Sequence, residues 1–228
     1  MSVIFSDIFG SPNIGVYCFS NERFAILPSG TPQRKIERFQ QCLGVEVCIS
    51  NMGGSRLVGV LVAANSQGII LPHIVHDHEL KAIEQMTDRK ICVLNNERKT
   101  AFGNIILVND YGAIVDPRLS FSTVREISDA LNVEVVKGEI NSLPYVGALA
   151  VATNKGVLAH PKTKEEEKKT IEEVLKVPVE LGTVNSGVPY IKSGLLANSR
   201  GAIAGSLTLG SELMAITQMI GAEKKSHQ

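Results

Sequence analysis

The chain holds five histidines and four cysteines, and their spacing decides which chemistry is open to them. Three of the histidines, His73, His76 and His78, fall within HIVHDHEL. Imidazoles this close could share a transition metal, but a closed site needs further ligands and no distant set accompanies them. The segment reads instead as the end of a strand followed by the start of a helix, so no metal is expected. Cys18, Cys42, Cys48 and Cys92 form no CxxC pair, and each sits in an apolar stretch, as a small buried hydrophobe would. A nucleophilic thiol must be held near a base. His160, in LAHP, has no evident cysteine partner. No phosphate-binding or dinucleotide-binding glycine motif opens a helix, so no cofactor is expected. The run KTKEEEKK puts acids in the first turn of a helix, where the helix dipole favours them, and reads as a solvated face.

A longer spacing dominates. The stretches Asn21–Pro28 (NERFAILP), Asn65–Pro72 (NSQGIILP), Asn109–Pro117 (NDYGAIVDP) and Thr153–Pro161 (TNKGVLAHP) repeat one phrase. Its fourth position is Phe24, Gly68, Gly112, Gly156 and Gly201, at intervals of 44, 44, 44 and 45 residues. Three residues earlier stand Asn21, Asn65, Asn109, Thr153 and Asn198. Asn at the first position of a β-turn bonds to the backbone beyond it, and Gly suits the fourth. Nine residues before the turn glycine lies another, at Gly15, Gly59, Gly103 and Gly147, displaced in the fifth copy to Gly194. A fixed period of this length means small units that bury their apolar faces only against one another.

The elements that position these residues follow from the runs between them. GVLVAA before the second turn and GIILP after it are continuous apolar runs, expected as two hairpin strands buried on both faces. Small residues (Ala63, Ala64, Ala148, Ala150, Ala152 and Ala197) point to a crowded centre. A helix follows in each copy. Thr31 is expected to cap the first with Pro32 at its first position, and Asp77 the second. Thr163 with Glu166 forms a capping-box pattern for the fourth, and Ser211 caps the fifth. The third, SFSTVREISDAL, has the poorer cap. After four of the helices comes a short third strand: VEVCIS, KICVLN, VEVVKG and VPVELG. The predicted fold is α+β: five ββαβ-like units of about 44 residues in a closed, pseudo-fivefold array. They would form one domain over 1–222, divided near 1–50, 51–94, 95–138, 139–182 and 183–222, with a polar tail at 223–228. The helix in every copy argues against an all-strand propeller.

Composition narrows the function. Of 228 residues, 44% are hydrophobic and 20% charged, an ordinary globular balance. The formal net charge is zero, which argues against extensive gripping of nucleic-acid phosphates. No apolar run approaches the ~18 residues of a membrane span. The opening MSVIFSDIFG lacks a basic region and carries Asp7, unlike a signal peptide. A reduced, cytoplasmic protein is expected.

Repeats also separate scaffold from site. Positions alike in every copy serve the fold, whereas a polar or aromatic residue found in one copy needs another reason. Just after the leading glycine the copies have Val16, Val60, Asn104 and Ala148, so Asn104 stands apart. Three residues before that glycine, Pro12, Thr100 and Pro144 flank the unique Arg56, beside Gly53, Gly54 and Ser55. Arg56 could bind a carboxylate or phosphate bidentately. Phe102 reads as core, and Tyr145 either as packing or as a contact residue. The loops SPNIG, GGSRLVG, RKTAFGN, LPYVG and NSGVPYIKSG all lead into the same strand of successive units, so pseudosymmetry gathers them on one face.

SNMGGSRLVGVLVAANSQGIILP, TAFGNIILVNDYGAIVDP, LPYVGALAVATNKGVLAHP and LGTVN resemble the translation initiation factor 6 family of archaea and eukaryotes, over about Gly15 to Leu213. The neutral, tail-poor chain resembles an archaeal member. The resemblance implies a pentein fold and a ribosome anti-association factor, with no enzymatic activity and no small-molecule substrate. Its partner would be the large ribosomal subunit, bound chiefly through a ribosomal protein with nearby rRNA, the sarcin–ricin loop, and the factor would be monomeric. The contact residues then expected are Asn13, Gly54, Ser55, Arg56, Lys99, Thr100, Gly103, Asn104, Pro144 and Tyr145. The ending GSLTLGSEL, with Thr208 and Glu212 in register, departs from the family's glycine-and-threonine pattern. The alternative is a pentein-fold guanidino-modifying hydrolase or transferase. Those enzymes use a Cys, a His and acids, whereas no Cys follows Cys92 here.

Overall fold

The computed structural model describes residues 2–221. The polar tail expected at 223–228 lies outside the described residues. Strand β1 (Ser2–Ser6) comes first, followed by a unit of α1 (Ile14–Tyr17), β2 (Phe19–Ser20), β3 (Phe24–Leu27), α2 (Gln33–Leu43) and β4 (Glu46–Ile49). The second unit is α3 (Val58–Leu61), β5 (Ala63–Ala64), β6 (Gly68–Pro72), α4 (Asp77–Met86) and β7 (Lys90–Leu94). The third is α5 (Phe102–Ile105), β8 (Ile106–Val108), β9 (Gly112–Val115), α6 (Phe121–Leu131) and β10 (Glu134–Lys137). The fourth is α7 (Val146–Leu149), β11 (Ala150–Ala152), β12 (Val157–Ala159), α8 (Glu165–Leu175) and β13 (Val179–Leu181). The fifth is α9 (Ile191–Gly194), β14 (Leu195–Ala197), β15 (Gly201–Gly205) and α10 (Gly210–Gly221).

Each unit builds a three-stranded sheet in which an antiparallel hairpin gains a parallel strand after its helix. The third strand missing from the fifth copy is β1, which pairs parallel to β15 from Ser2 opposite Gly201 to Ser6 opposite Gly205. The two ends of the chain thus close the pentein-like array. Each apolar cluster draws on two adjacent units. Phe19 and Ile26 pack with Ile69 and Ile83, and Leu107 and Ile114 with Leu149 and Val157. Ile14 and Phe39 of the first unit pack with Leu196 and Ile203 of the last.

The run expected as the first hairpin strand is split. In GVLVAA only Ala63–Ala64 is strand, and Val58–Leu61 is a single helical turn closed by Val62 N–H donating to Val58 O at 3.0 Å. The five such turns pack in a ring: α1 on α3, α3 on α5, α5 on α7, α7 on α9 and α9 on α1. Glycine is required there because a Cβ on Gly59, Gly103 or Gly147 would collide with the carbonyl of the preceding ring glycine. In the fifth copy α9 begins at Ile191, so the ring position is Lys192 and not Gly194, which instead packs against Asn185. The turn glycines also serve close approach. A Cβ on Gly68, Gly112 or Gly201 would strike the carbonyl of Ala130, Val174 or Cys42 in the next unit's helix.

The recurrent asparagines do more than turn the chain. Asn21, Asn65 and Asn109 donate from Nδ2 to the carbonyls of Asn65, Asn109 and Thr153, at 2.9, 3.3 and 3.1 Å. Asn198 reaches Asn21 O at 3.2 Å. Asn65, Asn109 and Asn198 also cap the free helix carbonyls of Leu131, Leu175 and Leu43 at 2.8–2.9 Å. The one gap, at Thr153, is bridged by Glu22, which accepts from Asn154 N–H at 3.2 Å and Ser199 N–H at 2.9 Å.

The first, second and fourth helix starts differ from expectation by one residue, and the fifth by two. Pro32, His76 and Lys164 occupy the N-cap positions, and α10 begins at Gly210. The hydroxyls of Thr31 and Thr163 instead donate back to Pro28 O (2.7 Å) and His160 O (2.6 Å), closing the preceding turn. The third helix has the one side-chain cap of its kind among these: Ser120 Oγ accepts from Thr123 N–H at 3.0 Å.

Candidate functional site

The Asn turns and helix C-termini share one end of the molecule. The helix N-termini share the other with the starts of the ring helices and a set of tight turns. Those turns pair Ile8 with Ser11, Met52 with Ser55 and Ile140 with Leu143. Their two central residues, Phe9/Gly10, Gly53/Gly54 and Asn141/Ser142, are left-handed. The fifth, Val184 to Val188, has three such residues, Asn185, Ser186 and Gly187. Successive left-handed residues point their N–H groups the same way and form a concavity for an anion.

A glutamate from the following helix fills it. Glu79 accepts from Gly53 N–H (2.6 Å), Gly54 N–H (2.9 Å) and the N-cap His76 N–H (2.9 Å). Glu167, not the expected Glu166, does the same for Asn141, Ser142 and Lys164 at 2.8–2.9 Å. Glu212 accepts from Ser186, Gly187 and Leu209 N–H and from Thr183 Oγ1, at 2.6–3.2 Å. Burial acts to raise the Glu212 carboxyl, but the Thr183 hydroxyl and the three N–H groups outweigh it and hold it below the ordinary range. The sequence carried this device at the repeat interval, as Lys35, Glu79, Thr123, Glu167 and Glu212. Two copies depart. Lys35 pairs with Asp7, and Thr123 donates to Glu97 in the longer segment before α5. Among the described residues His76, His78 and Glu79 are the one group close enough to share a metal. Glu79 is already committed to the turn.

The expected contact residues gather at this end. Gly54 and Ser55 lie in the second turn, and Ser55 Oγ accepts from Leu57 N–H at 3.2 Å. Arg56 is exposed and stacks on Phe9 of the neighbouring turn, 4.7 Å from the ring centroid. Asn13 precedes α1 and donates to Ser11 Oγ at 3.2 Å. Lys99 and Thr100 are half-buried in the segment leading to α5. Gly103 is buried in the ring, whereas Asn104 beside it is half-buried. Pro144 and Tyr145 lead into α7, and Tyr145 lies 5.4 Å from the Arg118 guanidinium.

Repeat comparison missed three groups here. Arg118 forks onto the fully buried Asp116 at 2.7–3.2 Å. Burial raises the Asp116 carboxyl, but those bonds hold it below the usual range. Phe121, at the start of α6, is 87% exposed. Lys192 was hidden by reading Gly194 as the ring glycine. Of eleven exposed large hydrophobics among the described residues, eight lie at this end: Phe9, Leu57, Ile74, Phe121, Tyr145, Tyr190, Leu207 and Leu209. Aromatic side chains and arginine are enriched at the surfaces where proteins meet.

Among known proteins, the family model of the eIF-6 family matches residues 3–219. No curated protein matches the chain.

Proposed function

We proceed from the fact that the chain belongs to the eIF-6 family, which gives it a role in translation initiation, and propose that it binds the large ribosomal subunit and blocks its premature joining to the small one. The observation that supports this is the concentration of exposed aromatic and aliphatic side chains, with Arg56 and Arg118 stacked among them, at the end of the ring where the expected contact residues lie. The neutral chain favours packing over phosphate contacts; the family resemblance implies a ribosomal protein as the main partner, with rRNA alongside, and a monomer acting in the cytoplasm. No described helix is long and apolar enough to cross a membrane.

The guanidino-enzyme alternative finds little to work with. Burial raises the Cys18, Cys48 and Cys92 thiols away from the thiolate form. Cys42 is buried and donates to Ala202 O at 3.3 Å.

Sedimentation of purified large and small subunits with added protein tests the proposal. The protein should travel with the large subunit alone and reduce the joined fraction. Travel with the small subunit, or with neither, would overturn it. Binding that rests on packing should fall only shallowly with salt, where a protein contacting many phosphates loses about 0.9 log units per contact per decade.

A further inference from the structure

Four ring helices place glycine at the axis and the fifth places Lys192. By the logic of internal repeats, a long polar side chain found once, at the most crowded position of the fold, needs a reason beyond packing. The side chain is half-buried and reaches from its own helix across to α5. Its Nζ donates to Gly103 O at 2.8 Å and lies 5.9 Å from the centroid of Phe19. There it lines a cavity of about 70 Å³ on the pseudo-fivefold axis, walled by Phe19, Ala63, Ile106 and Ala150, with Glu22 and Asp110 towards the turn end. At roughly 10–15 Å³ per water, this space holds a few waters or a guest of a few heavy atoms.

We propose that Lys192 is a covalent site for small neutral aldehydes that enter the axial cavity. An ammonium brings three donors, and Gly103 O is a single acceptor. A neutral amine suits the place better, with one N–H on the carbonyl and its lone pair towards the cavity. Burial lowers Lys192 to about 7. At pH 7 about half of such an amine is free, against about one part in 2,500 for a lysine at 10.4. The rim selects by charge. Asp110 is fixed by Ser66 and Asn154, and Glu22 by Ser199 and Asn154. These two carboxylates disfavour anionic carbonyl compounds. The cavity's other nucleophile, Cys18, is held as a thiol by burial.

The step balances without a redox partner. The amine lone pair attacks the carbonyl carbon and an N–C bond forms. The carbonyl oxygen leaves as water with the two amine hydrogens, and an imine remains.

Propionaldehyde with cyanoborohydride, which reduces the imine to a stable secondary amine, tests this on the whole protein by peptide mapping. At pH 7 Lys192 should be labelled at least about tenfold faster than the exposed Lys81 and Lys162. Its rate should level off above pH 8 while theirs keep rising, and a ring-bearing aldehyde such as benzaldehyde should lose the preference. Lys192→Met should remove the fast phase. The proposal is overturned if Lys192 stays unlabelled, if it follows the pH profile of the exposed lysines, or if benzaldehyde labels it equally well. This result does not depend on ribosome binding.

Discussion

Lys192 and Asn104 are linked through one peptide, because the carbonyl that Lys192 holds belongs to Gly103. The lysine costs the fold stability in a pH-dependent way. Its folded value is about 7, below the unfolded ~10.4, so the unfolded chain binds more protons between those values. Stability therefore rises with pH across that window, and the penalty is complete below about pH 7. Lys192→Met should raise Tm at pH 6 and 7, with a gain that shrinks towards pH 10. Melting across that range checks it, and a gain independent of pH would trace the effect to packing alone. For Asn104, half-buried on the proposed docking face, Asn104→Lys should weaken large-subunit binding by about 1–3 kcal/mol and leave Tm nearly unchanged. The exposed Glu166 supplies the control: Glu166→Gln should spare binding. Normal binding by the first variant and lost binding by the second would put the interface elsewhere.

Among the elements, the tight turns and helix starts act as joined pieces. Glu212 receives three backbone N–H groups and a hydroxyl, and Glu212→Gln would set an amide NH₂ against those donors. The expected cost at pH 7 is about 1–3 kcal/mol. The carboxylate's folded value is depressed, so its contribution is present above the unfolded ~4.3 and is lost as pH falls through the folded value. Urea unfolding at pH 7 and pH 3.5 should show the gap between wild type and variant narrowing at the lower pH. The ring helices tolerate less. Gly59→Ala drives a Cβ into the Gly15 carbonyl, a backbone atom that cannot step aside, and should cost about 3 kcal/mol or more in thermal melts.

Across the whole molecule, no unit owns its core, since each cluster spans a seam between neighbours. The seam between the first and last units also depends on β1. Deleting residues 2–6 should expose the edge of β15 and abolish a single cooperative transition. Urea unfolding followed by two spectroscopic probes checks this, and a coincident, wild-type-like transition would show that closure does not need the strand. Removing one whole unit, residues 95–138 for example, should unfold the chain outright.

What the sequence by itself determined was whatever recurs. The 44-residue period, the asparagine turns and the helix-and-strand content of each unit were legible because every copy obeys the same local backbone geometry. It even carried the Glu79, Glu167 and Glu212 series, although carboxylates on helices look like ordinary surface until the turn they clasp is in place. Tertiary structure decided the relations between copies. Ring closure by β1 brings residues 2–6 against 201–205, and no local preference announces a partner that far along the chain. The turn glycines answer to helix carbonyls in the next unit, not to their own turns. The nine-residue offset from Gly201 falls on Lys192, and Gly194 two residues later masks it because it keeps the residue type of the other copies. Packing around the axis shows that Lys192 holds that place, because α9 begins at Ile191, a Cβ on Gly15 would strike the Lys192 carbonyl, and the lysine side chain crosses to Gly103 O.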